Sequence, residues 1–251
     1  MASLWSNRFE TKKGRWVFVP TSECRAAGQV IRKQIASRWD PPRYLYQFRK
    51  GGHVSALQLH IANTYFARLD LANYFGSINK TRITRVLKSM APYRDARQWA
   101  ELSVVPDPDH PMHWMLPFGF VQSPIIAALS FSRSALGSSI ERISTQPNLT
   151  VSCYVDDIII SSTNKALVEH AIEDVTTAVM RSAFRLNEEK CEGPTTAITA
   201  FNIHLSHRSL MITKERMERF KFTVNNPGSA AQICGIKTYI RSVNGMQIRN
   251  L

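Results

Sequence analysis

Apolar and polar positions alternate through residues 65–71 (YFARLDL), the two-residue period of a strand with one buried face. Residues 15–20 (RWVFVP) read as a shorter strand ended by Pro20. The period lengthens over residues 22–38, where Ile31 and Ile35 share a helical face and Ser22 is placed to cap it. Asn79 is expected to cap a basic helix over roughly 80–90. The three prolines Pro106, Pro108 and Pro111 make 103–113 a loop, and Ser123-Pro124 marks a helix start, with Ser at the cap and a helix running to about Ile143. Two apolar runs, 150–154 and 158–162, flank Asp156-Asp157 and predict a β-hairpin with carboxylates at its tip. Leu167, Ala171, Val175 and Val179 fall at four-residue steps, an amphipathic helix over 164–184; beyond about 213 the chain turns basic and its patterning weakens. Strand–helix, then strand–helix–helix, then hairpin–helix–strands is an α+β layout.

Composition sharpens this picture. With 44% hydrophobic residues among 251, the chain can bury a core as one large domain or two smaller ones that share it. A formal charge of +13 suits a nucleic-acid binder. Cys24, Cys153, Cys191 and Cys234 form no metal-ligand spacing, and His53, His60, His110 and His113 fit no zinc pattern. The first ten residues hold no apolar signal core, and no stretch reaches the ~20 apolar residues of a membrane span, so a cytoplasmic chain without membrane contact is expected.

Against this background three acids stand out. Asp70 ends a strand in an apolar and aromatic setting (LDLANYF), and Asp156 and Asp157 sit between two apolar strands. Carboxylates in such places are costly unless positive charge balances them. Two Mg²⁺ ions, with Mn²⁺ as a substitute, would do so and would serve phosphoryl transfer to a 3′-hydroxyl. If the two strands lie side by side, Asp70 and Asp156 each bridge both ions; side chains alternate along a strand, which leaves Asp157 as an auxiliary ligand.

The motifs around these acids resemble those of reverse transcriptases, above all the bacterial enzymes of retrons, group II introns and phage defence. The likeness runs from about residue 15 to 205. Tyr154-Val155-Asp156-Asp157 is similar to the YxDD box, and Leu69 to Ile78 (LDLANYFGSI) to the first catalytic box. Phe118 to Pro124 (FGFVQSP) resembles the Gly-x-Pro-Gln-Gly-x-Pro box, Phe184 to Lys190 (FRLNEEK) the leucine-asparagine box that follows, 15–20 the fingers strand, and 47–53 the segment before the first catalytic box. Val121 and Ser123 depart from the family's Pro and Gly, and Gly76 from a common Pro, which marks a divergent member.

The resemblance implies a right-hand polymerase fold with fingers, palm and a reduced thumb. Residues 1–64 would be fingers, 65–80 the first catalytic strand of the palm, 81–118 a fingers–palm connection, 119–212 palm, and 213–251 a small thumb or basic C-terminal region. It implies catalysis by Asp70, Asp156, Asp157 and Lys190, the last neutralising or protonating the leaving pyrophosphate, and metal ligation by Asp70, Leu71, Asp156 and Asp157. Arg15 would hold the triphosphate, Phe75 would exclude a 2′-hydroxyl, Gly119 would let backbone approach the nucleotide, and Gln122 would contact the template. Arg25, Arg49, Lys214 and Arg216 would track nucleic-acid backbone.

The implied partners are an RNA template or non-coding RNA, a DNA product, deoxynucleoside triphosphates and either a protein partner or a second copy of the chain. The implied setting is antiviral defence. Two alternatives stay open: a template-independent or guided nucleotidyl transferase on the same scaffold, and a non-catalytic nucleic-acid-binding subunit. A viral-type RNA-dependent RNA polymerase is disfavoured by Phe75, which stands where such enzymes read the 2′-hydroxyl.

Overall fold

The structure, a computed structural model, describes residues 3–12, 14–226 and 228–251. In chain order the elements are β1 (Trp5–Lys12), β2 (Arg15–Pro20), α1 (Ser22–Ala36), α2 (Gly52–Gln58), β3 (Tyr65–Ala72), α3 (Lys80–Leu87), α4 (Tyr93–Glu101), β4 (Val105–Pro106) and β5 (Trp114–Met115). They continue with α5 (Ser123–Ser132), α6 (Ala135–Ser144), β6 (Thr150–Tyr154), β7 (Asp157–Ser162), α7 (Lys165–Met180), β8 (Arg185–Leu186), β9 (Glu192–Thr195), β10 (Ala197–Ala200), β11 (Ile203–Ser206), β12 (Ser209–Ile212), α8 (Lys214–Asn225) and α9 (Ala230–Asn244). The chain divides into two compact units, one of Met1–Arg43, Leu71–Glu141 and Val175–Leu186, the other of Tyr44–Asp70, Arg142–Asp174 and Asn187–Leu251. The mixture of helices with antiparallel sheets is the expected α+β class.

In the first unit, β1 and β2 form an antiparallel hairpin that pairs Arg8 with Phe18. The Phe18 ring is fully buried with Cys24, Val105, Met115 and Phe120. Helix α5 is apolar around its whole circumference, and every residue from Ile125 to Phe131 is buried, as such a helix must be. Its predicted extension to Ile143 is broken. Ser134 accepts the amide hydrogen of Gly137 at 3.1 Å and so starts α6 afresh as a side-chain cap. Two further caps differ from expectation. Thr21, not Ser22, caps α1 by accepting from the Cys24 amide, and Ser123 lies inside α5 with Gln122 at the cap position. The predicted cap at Asn79 is present, its Oδ1 accepting from the Arg82 amide at 3.0 Å.

In the second unit, β6 and β7 form the predicted hairpin, and β7 pairs antiparallel with β3 in the register Leu69–Ile158 and Asp70–Asp157. The meander β10–β11–β12 stands beside it as a separate sheet. Phe66, Ile159, Ile198, Ile203, Leu205 and Ile212 close a common core with Met217 and Phe220 of α8 and Ile240 of α9. The weakly patterned basic tail is thus two helices that each bury a narrow apolar stripe.

Candidate active site

Strand β3 carries Arg68 and Asp70 two residues apart, hence on one face. Asp157 lies directly opposite Asp70 across the β3–β7 ladder, and directly opposed side chains share a face. Both carboxylates are buried, at 4% and 7% exposure. Arg68 lies between them: its Nε donates to Asp157 Oδ1 at 2.7 Å, and its Nη2 stands 3.9 Å from Asp70 Oδ2. A third contact, from Nη1 to the Thr199 carbonyl at 2.9 Å, fixes the guanidinium. Lys190 Nζ donates to both Asp70 oxygens at 3.3 Å.

Asp156 occupies the hairpin turn. Tyr154 pairs with Asp157, so Val155 and Asp156 form a two-residue loop, and Val155 sits in the left-handed region at φ 59°. That conformation suits glycine at the first loop position; a β-branched residue there is strained by roughly 1–3 kcal/mol. The Gln47 side chain steadies the turn by accepting the Val155 amide at 3.5 Å. Burial pushes the Asp156 carboxyl up to about 6, aided by the negative charges of Asp157 and Asp70 and opposed by Lys190. Burial also raises Asp157, with Arg68 pulling the other way.

The cross-strand partner of Asp70 is thus Asp157, which is held by Arg68, and Asp156 belongs to the turn between β6 and β7. Arg68 is the residue that sequence reasoning missed, although its place two residues before Asp70 put it on the same face. Leu71 follows with a buried side chain in register with Leu186, so only its main-chain carbonyl can act as a ligand.

The donor set fits a hard divalent cation. Carboxylate oxygens suit Mg²⁺, and their burial and mutual repulsion call for more positive charge than two side chains bring. Among the described residues no three His, Cys, Asp or Glu side chains are gathered into a ready cage. Mg²⁺ ordinarily needs none, since it takes one or two carboxylates together with substrate phosphates.

The remaining predicted residues of this unit lie on its surface or against aromatic rings. Arg49 is exposed with its guanidinium 5.2 Å from the Tyr46 ring centre. Lys214 is exposed, and Arg216 is half-buried over Phe220 at 4.7 Å.

Within the first unit, Phe75 is buried between Tyr74 and Phe118, with ring centres 5.4 and 4.5 Å away. Arg15 lays its guanidinium 4.6 Å from the Phe118 ring centre, and Arg25 is exposed in the first turn of α1. Gly119 has φ 103°, and the space a side chain would need is filled by the Phe18 carbonyl, so the close approach this glycine permits is to the chain's own β2. Gln122 turns inward. It is 1% exposed, its Nε2 donates to the Leu102 carbonyl at 3.0 Å and to Ser103 Oγ at 3.3 Å, and its amide lies against Gly28 of α1. A side chain so enclosed anchors the start of α5.

Comparisons with known proteins agree with the motifs. The family model described as reverse transcriptase (RNA-dependent DNA polymerase) matches residues 7–224. The Retron Se72 reverse transcriptase of Salmonella heidelberg (strain 579083-10) is 23% identical over 224 residues, 86% of this chain and 57% of that protein. The chain therefore spans little more than half the length of this curated relative. In structure it resembles the foamy viral protease-reverse transcriptase in complex with double-stranded DNA, with a TM-score of 0.55 and 17% identity over 93% of this chain and 35% of that one. It also resembles telomerase from Candida albicans in complex with a fragment of telomeric RNA, with a TM-score of 0.56 and 8% identity over 94% of this chain and 53% of that one. At these identities the likeness is one of fold, and both neighbours hold nucleic acid. Among the described residues no helix is long and apolar enough to cross a membrane. The family match over residues 7–224, together with the paired carboxylates of β3 and the β6–β7 hairpin, places this chain in the reverse transcriptase (RNA-dependent DNA polymerase) family.

Proposed function

We propose that this chain is an RNA-directed DNA polymerase that works by two-metal nucleotidyl transfer. The observation that carries the reading is the buried acidic cluster: Asp70 opposite Asp157 on neighbouring strands, Asp156 at a strained turn beside them, and Arg68 and Lys190 as counter-charges. Reverse transcriptases work with divalent metal ions. Two Mg²⁺ ions, or Mn²⁺ in their place, supply activation of the 3′-hydroxyl and charge neutralisation at the leaving pyrophosphate when bound. We assign Asp70, Asp156 and the Leu71 carbonyl as their ligands. Asp157, held by Arg68, keeps the hairpin aligned with β3. Lys190, half exposed, is placed to give its proton to pyrophosphate.

In this reading residues 1–64 serve as fingers, the palm runs from 65 to 80 and 119 to 212, and α8 and α9 form a small thumb. Deoxynucleoside triphosphates are met by Arg15 and by Phe75, whose ring rejects a 2′-hydroxyl. Arg25, Arg49, Lys214 and Arg216 follow the backbone of an RNA template and its DNA product. Phe75→Ala is expected to admit ribonucleotides, measured as the ratio of ribo- to deoxynucleotide incorporation; an unchanged ratio would remove Phe75 from this role. A companion RNA and a part in antiviral defence belong to the same reading, in line with the chain's similarity to a retron reverse transcriptase.

One observation favours a second reading. With Gln122 turned inward, the box at 118–124 lacks its expected template contact, as suits a polymerase guided by a bound RNA or protein rather than by an ordinary template. Incorporation of labelled deoxynucleotides with Mg²⁺, with and without a primed RNA template, separates the two. Asp156→Asn should lower incorporation about 10³-fold or more, equivalent to about 4 kcal/mol at the transition state. It should bind nucleic acid as wild type does. Equal incorporation by both proteins would sink the metal-site assignment.

A further inference from the structure

Helices α3 and α4 flank an open cleft of about 290 Å³ that shares no residue with the acidic cluster. Lys80, Arg85, Lys88 and Arg97 line it, with Tyr93 and the threonines Thr81 and Thr84. From 80 to 101 the chain carries Lys80, Arg82, Arg85, Lys88, Arg94 and Arg97 against only Asp95 and Glu101. Among the described residues the ion pairs leave that imbalance standing. Glu101 alone serves two of the lining cations, at 3.8 Å from Lys80 and 3.1 Å from Arg97. Arg82 lies beneath, half-buried with its guanidinium 5.0 Å from the Phe184 ring centre and its Nη1 without a hydrogen-bond partner. Burial lowers its pKa, and the neighbouring Arg85 adds to the shift.

The aromatic component is equally specific. Tyr93 is 55% exposed, Lys88 Nζ stands 5.6 Å from its ring centre, and its hydroxyl accepts from Arg97 at 3.4 Å. An exposed ring among cations is the arrangement that holds single-stranded nucleic acid, with the base stacked and the flanking phosphates neutralised. The volume lies at the small end of ligand pockets, roughly 300 Å³ and above, and so suits one nucleotide unit. Four cations spread over two helices exceed the needs of one phosphate, which favours a strand passing through.

We propose that the α3–α4 cleft is a docking site for single-stranded polynucleotide, with an unpaired base on Tyr93 and consecutive phosphates on Lys80, Arg85, Lys88 and Arg97. It is a binding site in its own right and does not depend on the polymerase reading.

The test uses the full chain and a fluorescein-labelled oligouridylate, read by fluorescence anisotropy across a salt series. Excess unlabelled primed duplex is present to occupy the polymerase site. R85Q/K88Q should weaken binding about tenfold and lower the salt slope by about 1.4, near 0.7 for each phosphate no longer neutralised. Tyr93→Ala should weaken binding about tenfold and leave the salt slope unchanged. The same charge removal at the exposed pair Lys165 and Arg181 should change affinity less than about twofold. All the substituted positions are exposed, and thermal unfolding verifies that each variant folds. A labelled oligodeoxyuridylate of the same length decides which sugar the strand carries, and tight binding of either supports the site. Equal losses in the Lys165/Arg181 control, or none in R85Q/K88Q and Tyr93→Ala, would overturn the proposal. Displacement by free UTP as effective as displacement by unlabelled oligonucleotide would also overturn it, because the cleft would then hold a mononucleotide.

Discussion

Two boxes of this chain carry side chains that sequence motifs assign to chemistry, and they differ in how the fold holds those side chains. The hairpin at 150–162 keeps its acids where they were expected, whereas the box at 118–124 turns its one amide inward. The difference lies in charge. A buried carboxylate cannot be left alone, so Asp70 and Asp157 bring Arg68 and Lys190 with them and the cluster is specified as a unit. An amide is neutral, so the fold can leave part of it unmet: Leu102 and Ser103 take the Gln122 Nε2, while its buried Oε1 has no hydrogen-bond partner.

The sharpest way to break this comparison is to remove the charge that holds the acids. Arg68→Met leaves Asp157 buried at 10% side-chain exposure beside Asp70, with its strongest counter-charge gone. A loss of about 3 kcal/mol in unfolding free energy is expected. Adding Asp157→Asn to Arg68→Met should restore most of it, because the double variant no longer buries an uncompensated charge. Urea denaturation of the four proteins gives the cycle. Additive losses would show that Arg68 stabilises the unit through packing alone.

The next effect is smaller and tests the other box. Gln122→Ala deprives the Leu102 carbonyl and Ser103 hydroxyl of a buried donor, a cost of about 2 kcal/mol. Template-directed synthesis per folded molecule should be unchanged, which a single-turnover assay on the folded fraction measures. A variant that keeps its stability and loses its template dependence would return Gln122 to the role its motif suggested.

How much of this was legible follows the same division. The period-two alternation of 65–71, the apolar runs about Asp156-Asp157 and the cap at Asn79 gave elements whose places held, since each depends on neighbours close in the chain. Helix α4 (YRDARQWAE) was not foreseen, because it buries only Ala96 and Ala100 and its apolar stripe is too thin to register as a period. The break after Ser132 was equally hidden: Ser134 reads as one more helical residue until its hydroxyl is seen capping Gly137. At the site, the acids and Lys190 were readable as motif. Arg68 was readable only by combining strand period with the charge balance of Asp157, and the inward turn of Gln122 depends on Gly28, more than ninety residues earlier in the chain.

The smallest effect concerns a neutral polar group in the acid-bearing unit. His60 is wholly buried, with Nδ1 2.6 Å from Ser161 Oγ and Nε2 2.8 Å from Ser152 Oγ. Ser152 gives its own proton to the Ala56 carbonyl at 3.3 Å, so it accepts from Nε2–H, and Nδ1 accepts from Ser161. This network ties α2 and the following turn to the β6–β7 hairpin, and it requires a neutral ring. Burial accordingly lowers the His60 pKa from 6.5 to about 3. A depressed histidine binds its proton more readily in the unfolded chain, so its stabilisation is complete above about 6.5 and falls away as the pH drops towards 3. Between pH 6.5 and 5.5 the wild type should lose about 1 kcal/mol on this account. His60→Gln, which starts less stable but has no proton to take up, should show a shallower slope over the same interval. Parallel urea midpoints for the two proteins would mean that His60 is solvated or already charged. The neutral network would then be no part of what fixes the hairpin beneath its acids.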